Sequence, residues 1–221
     1  MREWLHKTKE DICKQTASMT GRQKVEYILT YYWYHMLLLF MAALLLVLLV
    51  RHLFFREPPK EFTCIMVNQS IDYQRDEQLA QDFAEAFRLR PAQVLIDSNY
   101  VFSYDEVILE AANESSYEKF FFQWYTKEID AVLMPESFYW HCKRLEYDFM
   151  EFEELLSKEQ RVSLNGQLLL EDKKAQALYI EKTQLSPYVE EMTEDATILV
   201  FLSNEKHLEA KKAFLKFATE K

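Results

Sequence analysis

The chain has 221 residues, 49% hydrophobic and 15% aromatic, with a formal net charge of −10. That is room and apolar content enough for one domain of ordinary size with extra segments. The charge is unevenly divided. Residues 1–56 hold 8 Lys/Arg against 4 Asp/Glu, while residues 57–221 hold 18 against 32, a net of −14. So acidic a region repels phosphate backbones, which excludes nucleic acid as an expected partner.

Residues 1–26 are polar, with Trp4, Leu5 and Ile12 as the main apolar points of a short surface helix, and Thr20-Gly21 as a break. Tyr27–Val50 is a run of 24 residues without Asp, Glu, Lys or Arg. At about 1.5 Å per residue it crosses a hydrocarbon core of roughly 30 Å, so the lipid bilayer is the first expected partner. Tyr31, Tyr32, Trp33 and Tyr34 fit an aromatic belt at one interface, and Arg51 and Arg56, with Phe54 and Phe55, mark the other. His35 reads as interfacial. The run begins too late and lasts too long for a cleaved signal, no small-residue cleavage site follows it, and it lacks the polar stripe of a core helix. Flanking cations tie, with Lys14, Arg22 and Lys24 against Arg51, Arg56 and Lys60. The wider asymmetry, basic before and acidic after, favours a single-pass protein of the cell membrane with a cytoplasmic N-terminus and an extracytoplasmic domain.

Residues 51–60 form a linker stiffened by Pro58 and Pro59. From residue 61 to 221 the elements alternate. Phe62–Val67 is a β-prone run. Asp72–Arg88 predicts a helix with Leu79, Phe83 and Ala86/Phe87 on one face, ended by Pro91. Val94–Ile96 is a second strand. Ser103-x-x-Glu106 is a capping box opening a helix to about Ala112, and Ser115-x-x-Glu118 opens another. In that second helix Tyr117, Phe120, Phe121 and Trp124 make an apolar stripe. Ile129–Met134 is a third strand, followed by a helix through about Arg144 and a short helix around Phe149–Leu156. Arg161–Leu164 and Gln167–Leu170 flank Asn165-Gly166, a hairpin signal. Ala177–Ile180 and Thr197–Leu202 are further strands, and Asn204 is placed to cap a last helix. The alternation predicts an α/β fold: a mostly parallel, three-layer αβα domain with an antiparallel addition near the hairpin.

The chain has only two glycines, Gly21 and Gly166, and no phosphate-loop, dinucleotide, nucleophile-elbow or zincin motif. No cofactor and no metal are therefore expected, and the sequence points away from an enzyme. Cys13, Cys64 and Cys142 have no metal spacing; Cys64 and Cys142 read as buried free thiols, with a disulfide between them as the alternative. His141 and His207 read as surface or satisfied histidines. The Glu151/Glu153/Glu154 and Glu190/Glu191/Glu194/Asp195 clusters read as solvated faces, weak divalent-cation binding by the second staying open. In open α/β sheets ligands sit beyond the carboxyl ends of parallel strands. Three such ends stand out: Asn68-Gln69-Ser70, Asp97-Ser98-Asn99-Tyr100 and Pro135-Glu136-Ser137-Phe138. From them Asn68, Ser70, Asp97, Asn99, Tyr100, Glu136, Ser137 and Phe138 are the candidate ligand-binding residues. Such residue types are also ordinary turn and cap formers.

Two stretches carry a family resemblance. EIDAVLMPESFYWHCKRLEYDFMEFEELL (128–156) resembles the strand, helix and following turn of bacterial extracellular solute-binding proteins, and ATILVFLSNEKHLEAKKAFLKFA (196–218) resembles their closing strand and helix. The resemblance implies one lobe of a periplasmic-binding-protein-like fold. The layout as a whole resembles single-pass membrane proteins of Gram-positive bacteria, some of them associated with transporters. The domain is about half the size of a two-lobed binding protein, and Leu145-Glu146-Tyr147 stands where the family places Gly, so no ligand residue is carried over. The expected function is a membrane-anchored, non-catalytic accessory or sensing protein that binds a partner protein such as a transporter component. Tyr100, Phe102, Tyr104, Phe138, Tyr139 and Trp140 are its expected docking surface. The alternative is a membrane-tethered module for a small solute.

Overall fold

The structure, a computed structural model, describes residues 14, 19–31, 33–54, 59–164, 166–190, 193–204 and 206–219. The expectations for Trp4, Leu5, Ile12, Cys13, Tyr32, Phe55, Arg56, Pro58, Asn165 and Glu191 lie outside these. The chain divides into two units, residues 1–57 and 58–221.

The first unit holds helix α1 (Gly21–Tyr31) and helix α2 (Trp33–Phe54). α2 is 22 residues of almost unbroken Leu, Val, Ala, Met and Phe, with Arg51 and His52 in its last turn and no buried residue. It is long and apolar enough to cross a membrane.

The second unit is built on one six-stranded sheet of order β2-β1-β3-β6-β5-β4. The strands are β1 (Phe62–Val67), β2 (Val94–Tyr100), β3 (Ala131–Pro135), β4 (Leu168–Glu171), β5 (Lys174–Tyr179) and β6 (Thr197–Phe201). β1 pairs in parallel with β2 and with β3. β6 then runs antiparallel to β3 and β5, and β4 antiparallel to β5. Four of the six strands thus share one direction, and the antiparallel part spans β6 as well as the hairpin.

Alternation along the strands makes two cores. Phe62, Cys64 and Met66 of β1, Ala131 and Leu133 of β3, and Leu199 and Phe201 of β6 enter one. Ile65, Val67, Val132, Met134, Ile198 and Val200 enter the other. The first is covered by α3 (Tyr73–Phe87) and α7 (Leu208–Thr219), through Leu79, Phe83, Phe214 and Leu215. The second is covered by α4 (Glu114–Tyr125) and α5 (Glu136–Arg144), through Phe120, Phe138, Tyr139 and Cys142. These are the three αβα layers.

α3 starts where Asp72 accepts from the N–H groups of Gln74 (2.9 Å) and Arg75 (3.1 Å), and ends at Arg88 in the left-handed region. Its inner face uses Ala80 and Ala84; Ala86 is exposed. The aromatic stripe of α4 packs inward as its spacing predicts, with Phe120 buried and Tyr117, Phe121 and Trp124 against it. Its cap is Asn113, which accepts from Ser115 N–H, in place of Ser115.

Other expectations are corrected. Ser103–Ala112 is a loop. Tyr104 and Val107 exchange backbone hydrogen bonds of 2.8 and 3.1 Å, and Asp105 takes φ 47°. Burying Phe102 and Tyr104 against Phe138, with ring centroids 5.1 and 4.8 Å apart, outweighs a local capping signal. Phe149–Leu156 holds only a 3-10 turn at Phe152–Glu154; before it, Met150 N–H bonds Phe201 O at 2.8 Å, so the chain runs beside β6. The segment before Gly166 is a helix, α6 (Lys158–Ser163), because Ser157 and Gln160 cap each other reciprocally. The hairpin turns instead at Asp172-Lys173, whose φ values of 50° and 69° meet the demand of a two-residue loop for positive φ. Asn204 does not cap α7, which begins four residues later.

Phe83 touches Phe62 and Phe214 at centroid distances of 5.2 and 5.1 Å. Phe83→Ala is expected to cost about 3–5 kcal/mol, as such core truncations do. Phe122→Ala, on an exposed helix face, should stay within about 0.5 kcal/mol. Denaturant midpoints of the two variants check the contrast.

Candidate functional site

The anchor residues come first. Tyr31, Trp33 and Tyr34 are exposed on α1 and α2, and Arg51 lies in the last turn of α2. Tyr32 and Arg56 lie outside the described residues.

The candidate polar groups of the three strand ends are held by other parts of the domain. Asn68, at φ 52° after β1, is fully buried and clasps the backbone of Phe102, donating to its carbonyl at 3.1 Å and accepting from its N–H at 3.0 Å. Ser70 Oγ donates to Glu190 at 2.7 Å and accepts from Arg75 at 3.1 Å. Asp97, Ser98, Asn99 and Tyr100 are not beyond β2 but within it, since the strand runs to Tyr100. Alternation hid this: Ser98 is buried because Asp76 accepts from its N–H (2.8 Å) and hydroxyl (2.6 Å). Asp97 accepts from Asn99 N–H and lies 3.6 Å from Lys119. The Tyr100 ring is buried under Lys119, 4.5 Å from the centroid. Glu136 accepts from Tyr179 OH at 2.9 Å and Trp140 Nε1 at 3.2 Å. Ser137 donates its N–H to Asp195 at 2.6 Å and shares a hydrogen bond of 2.8 Å with Tyr104 OH. Phe138 is core. Burial pushes the Tyr104 phenol up to about 12, so it serves as a neutral hydrogen-bond group. Ser137, Tyr104 and Asp195 meet here, and Asn68 meets the Phe102 backbone; the other candidates find separate partners.

Two clusters escaped the sequence reading because their members are far apart in the chain. At the opposite end of the strands Asp130 is buried just before β3. It accepts from Thr63 N–H at 2.9 Å and faces His207 Nδ1 at 3.0 Å. Close by, the fully buried Lys211 donates to Leu202 O (3.0 Å), Asn204 O (2.9 Å) and Asn204 Oδ1 (2.9 Å). Burial raises the Asp130 carboxyl against the opposing pull of His207 and Thr63, and it lowers the Lys211 ammonium. The groups fasten α7 to the entrances of β1 and β3. The Asp–His pair orients an imidazole, but its carboxylate is shared with the backbone of Thr63.

The second cluster clamps the Val101–Asn113 loop. Asp105 bonds His141 Nδ1 at 3.0 Å and pairs with Arg144; His141 Nε2 meets Tyr117 OH at 3.1 Å. The hydrogen bond from His141, with Arg144 adding to it, holds the Asp105 carboxyl below its ordinary value. No group of three or more His, Cys, Asp or Glu among the described residues is arranged to hold a metal ion. Cys64 and Cys142 are buried free thiols in different cores. No family model, no curated protein and no solved structure matches this chain.

A carboxyl whose folded pKa is depressed stabilises the fold above its unfolded pKa and loses that contribution as pH falls through the folded value. Hydrogen-exchange protection of residues 103–112, corrected for intrinsic rates, should therefore fall as pH drops below about 3.8, the ordinary value for Asp105. In Asp105→Asn it should be low already at neutral pH and fall no further in acid. Lys211→Met removes three buried hydrogen bonds, although Leu202 O and Asn204 Oδ1 each keep a backbone donor, and is expected to cost about 1–3 kcal/mol in a thermal melt.

Proposed function

We propose that this chain is a membrane-anchored, non-catalytic accessory or sensing protein. Its α2 helix holds it in the cell membrane with the N-terminus in the cytoplasm. Its acidic α/β domain meets a partner protein, such as a transporter component, on the far side.

One observation carries the reading: the domain leaves large apolar side chains on its surface. Tyr125 is 86% exposed, Ile108 78%, Val162 77%, Phe122 65% and Leu170 62%. Exposed aromatic and aliphatic groups suit a protein interface. The docking residues differ from those expected. Tyr100, Phe102, Tyr104, Phe138 and Tyr139 are core, and of that set only Trp140 reaches the surface. The small-solute alternative has less support, because the candidate polar groups at the strand ends are each engaged by other parts of the domain. The likeness to a single solute-binding lobe fits this reading through the layered α/β domain.

Two measurements test it. After alkaline extraction the chain should stay with the lipid pellet, and protease added outside spheroplasts should digest residues 59–221; digestion only after lysis would reverse the orientation. A photo-crosslinker at position 125 should give one discrete adduct with a membrane protein. A full set of surface positions giving no adduct with any membrane protein would sink the partner-binding reading.

A further inference from the structure

Phe120 of α4 is buried, with Tyr117, Phe121 and Trp124 packed against the same core. On the opposite side of the helix, at about 3.6 residues per turn, Glu114, Glu118, Phe122 and Tyr125 fall within about 80° of one another. All four are exposed, Phe122 at 65% and Tyr125 at 86%. They form one straight stripe roughly 16 Å long. Two carboxylates stand in its first half and two rings in its second.

The stripe is unfavourable as it stands. Glu114 and Glu118 are like charges one turn apart, an arrangement that weakens a helix. Neither has an ion-pair partner among the described residues. The two rings leave apolar surface in water. The surroundings are largely of one sign. Along Ser103–Glu128, Asp105 is matched by Arg144, and Lys119 by Asp97, its ammonium turned over the buried Tyr100 ring. That leaves the exposed Glu106, Glu110, Glu114, Glu118 and Glu128 of this segment against Lys127. Lys127, with Lys206 bonded to its carbonyl, lies past the C-terminal end of the helix, away from Glu114 and Glu118.

We propose that this stripe docks a cationic segment of a partner protein, one that sets Arg or Lys against Glu114 and Glu118 and packs apolar or guanidinium groups on Phe122 and Tyr125. The proposal rests on the partner-binding reading above and names the chemistry of the partner's surface. Charge selects the occupant. Unmatched carboxylates attract a cationic segment and repel an acidic one. A second copy of this chain brings the same carboxylates and a net −14 over residues 57–221, and an anionic lipid surface is repelled likewise. Arginine suits the stripe best, because a guanidinium both forks onto a carboxylate and stacks on a ring.

The test uses the full chain in native membranes, with photo-reactive benzoylphenylalanine in place of Tyr125, which keeps an aromatic ring there. The adduct should carry a foreign polypeptide. Its attached peptide, released by a protease that spares Lys and Arg, should hold Arg or Lys within a turn of the crosslinked residue. Adding Glu118→Lys, at an exposed position away from the core, should lower the yield about tenfold. Adding Glu85→Lys, the same charge change at an exposed position of α3, should leave it unchanged. The docking is overturned by equal yields in the two variants, by an adduct of twice the chain's mass, by an adduct with lipid, or by an attached peptide without Arg or Lys. Position separates the two readings: adducts with a membrane protein at other surface positions and none at 125 keep the partner and overturn this face, while none at any position overturns both.

Discussion

Every residue of β1, β3 and β6 is buried. Three adjacent strands with no solvent on either face must satisfy their backbone groups against each other, and they must be covered on both sides by apolar helices. That one constraint places α3 and α7 on one face and α4 and α5 on the other. It also splits the aromatic residues into two sets: Phe62, Phe83 and Phe214 in one core, and Phe102, Phe120 and Phe138 in the other. The two cores share no side chain, because alternation along each strand sends neighbours to opposite faces.

What was legible in the sequence is what local pattern determines. β1 spans the residues expected, since five apolar residues and a β-branched threonine between a proline-rich segment and Asn68 admit little else. The helix beginning near Asp72, the aromatic stripe of α4 and the apolar run of α2 are also local signals. The misses are places where distant contacts outweigh near ones. Ser98 reads as a turn residue until Asp76, 22 positions earlier, is seen to hold its N–H and hydroxyl inside the sheet. Asn165-Gly166 reads as a hairpin until Ser157 and Gln160 are seen to start a helix just before it. The Asp172-Lys173 turn carries no glycine to announce it.

The candidate residues at the strand ends show the same division. Their chemistry was readable, but not that each spends it on a separate partner elsewhere in the domain. Asn68 closes the β1–β2 crossover by gripping Phe102, and Ser137 links α5 to Asp195 and to the buried Tyr104. What the fold leaves unspent lies elsewhere, in the outer side chains of α4, the loop carrying Ile108 and Leu170 of β4. The clusters around Asp130 and Asp105 were invisible in sequence because the bonds Asp130–Thr63, Asp105–His141 and His141–Tyr117 join residues at least 24 positions apart.

The positions of Cys64 and Cys142 have a consequence of their own. Each sulfur sits in its own core with the full thickness of the sheet between them, and burial raises both thiols well above their ordinary range. Neither is a thiolate at neutral pH, and no side-chain rotation joins them. An oxidant therefore finds no internal bond to make in this domain, and a reductant finds none to break. The folded domain keeps the same covalent structure in either milieu, so its stability rests on non-covalent contacts.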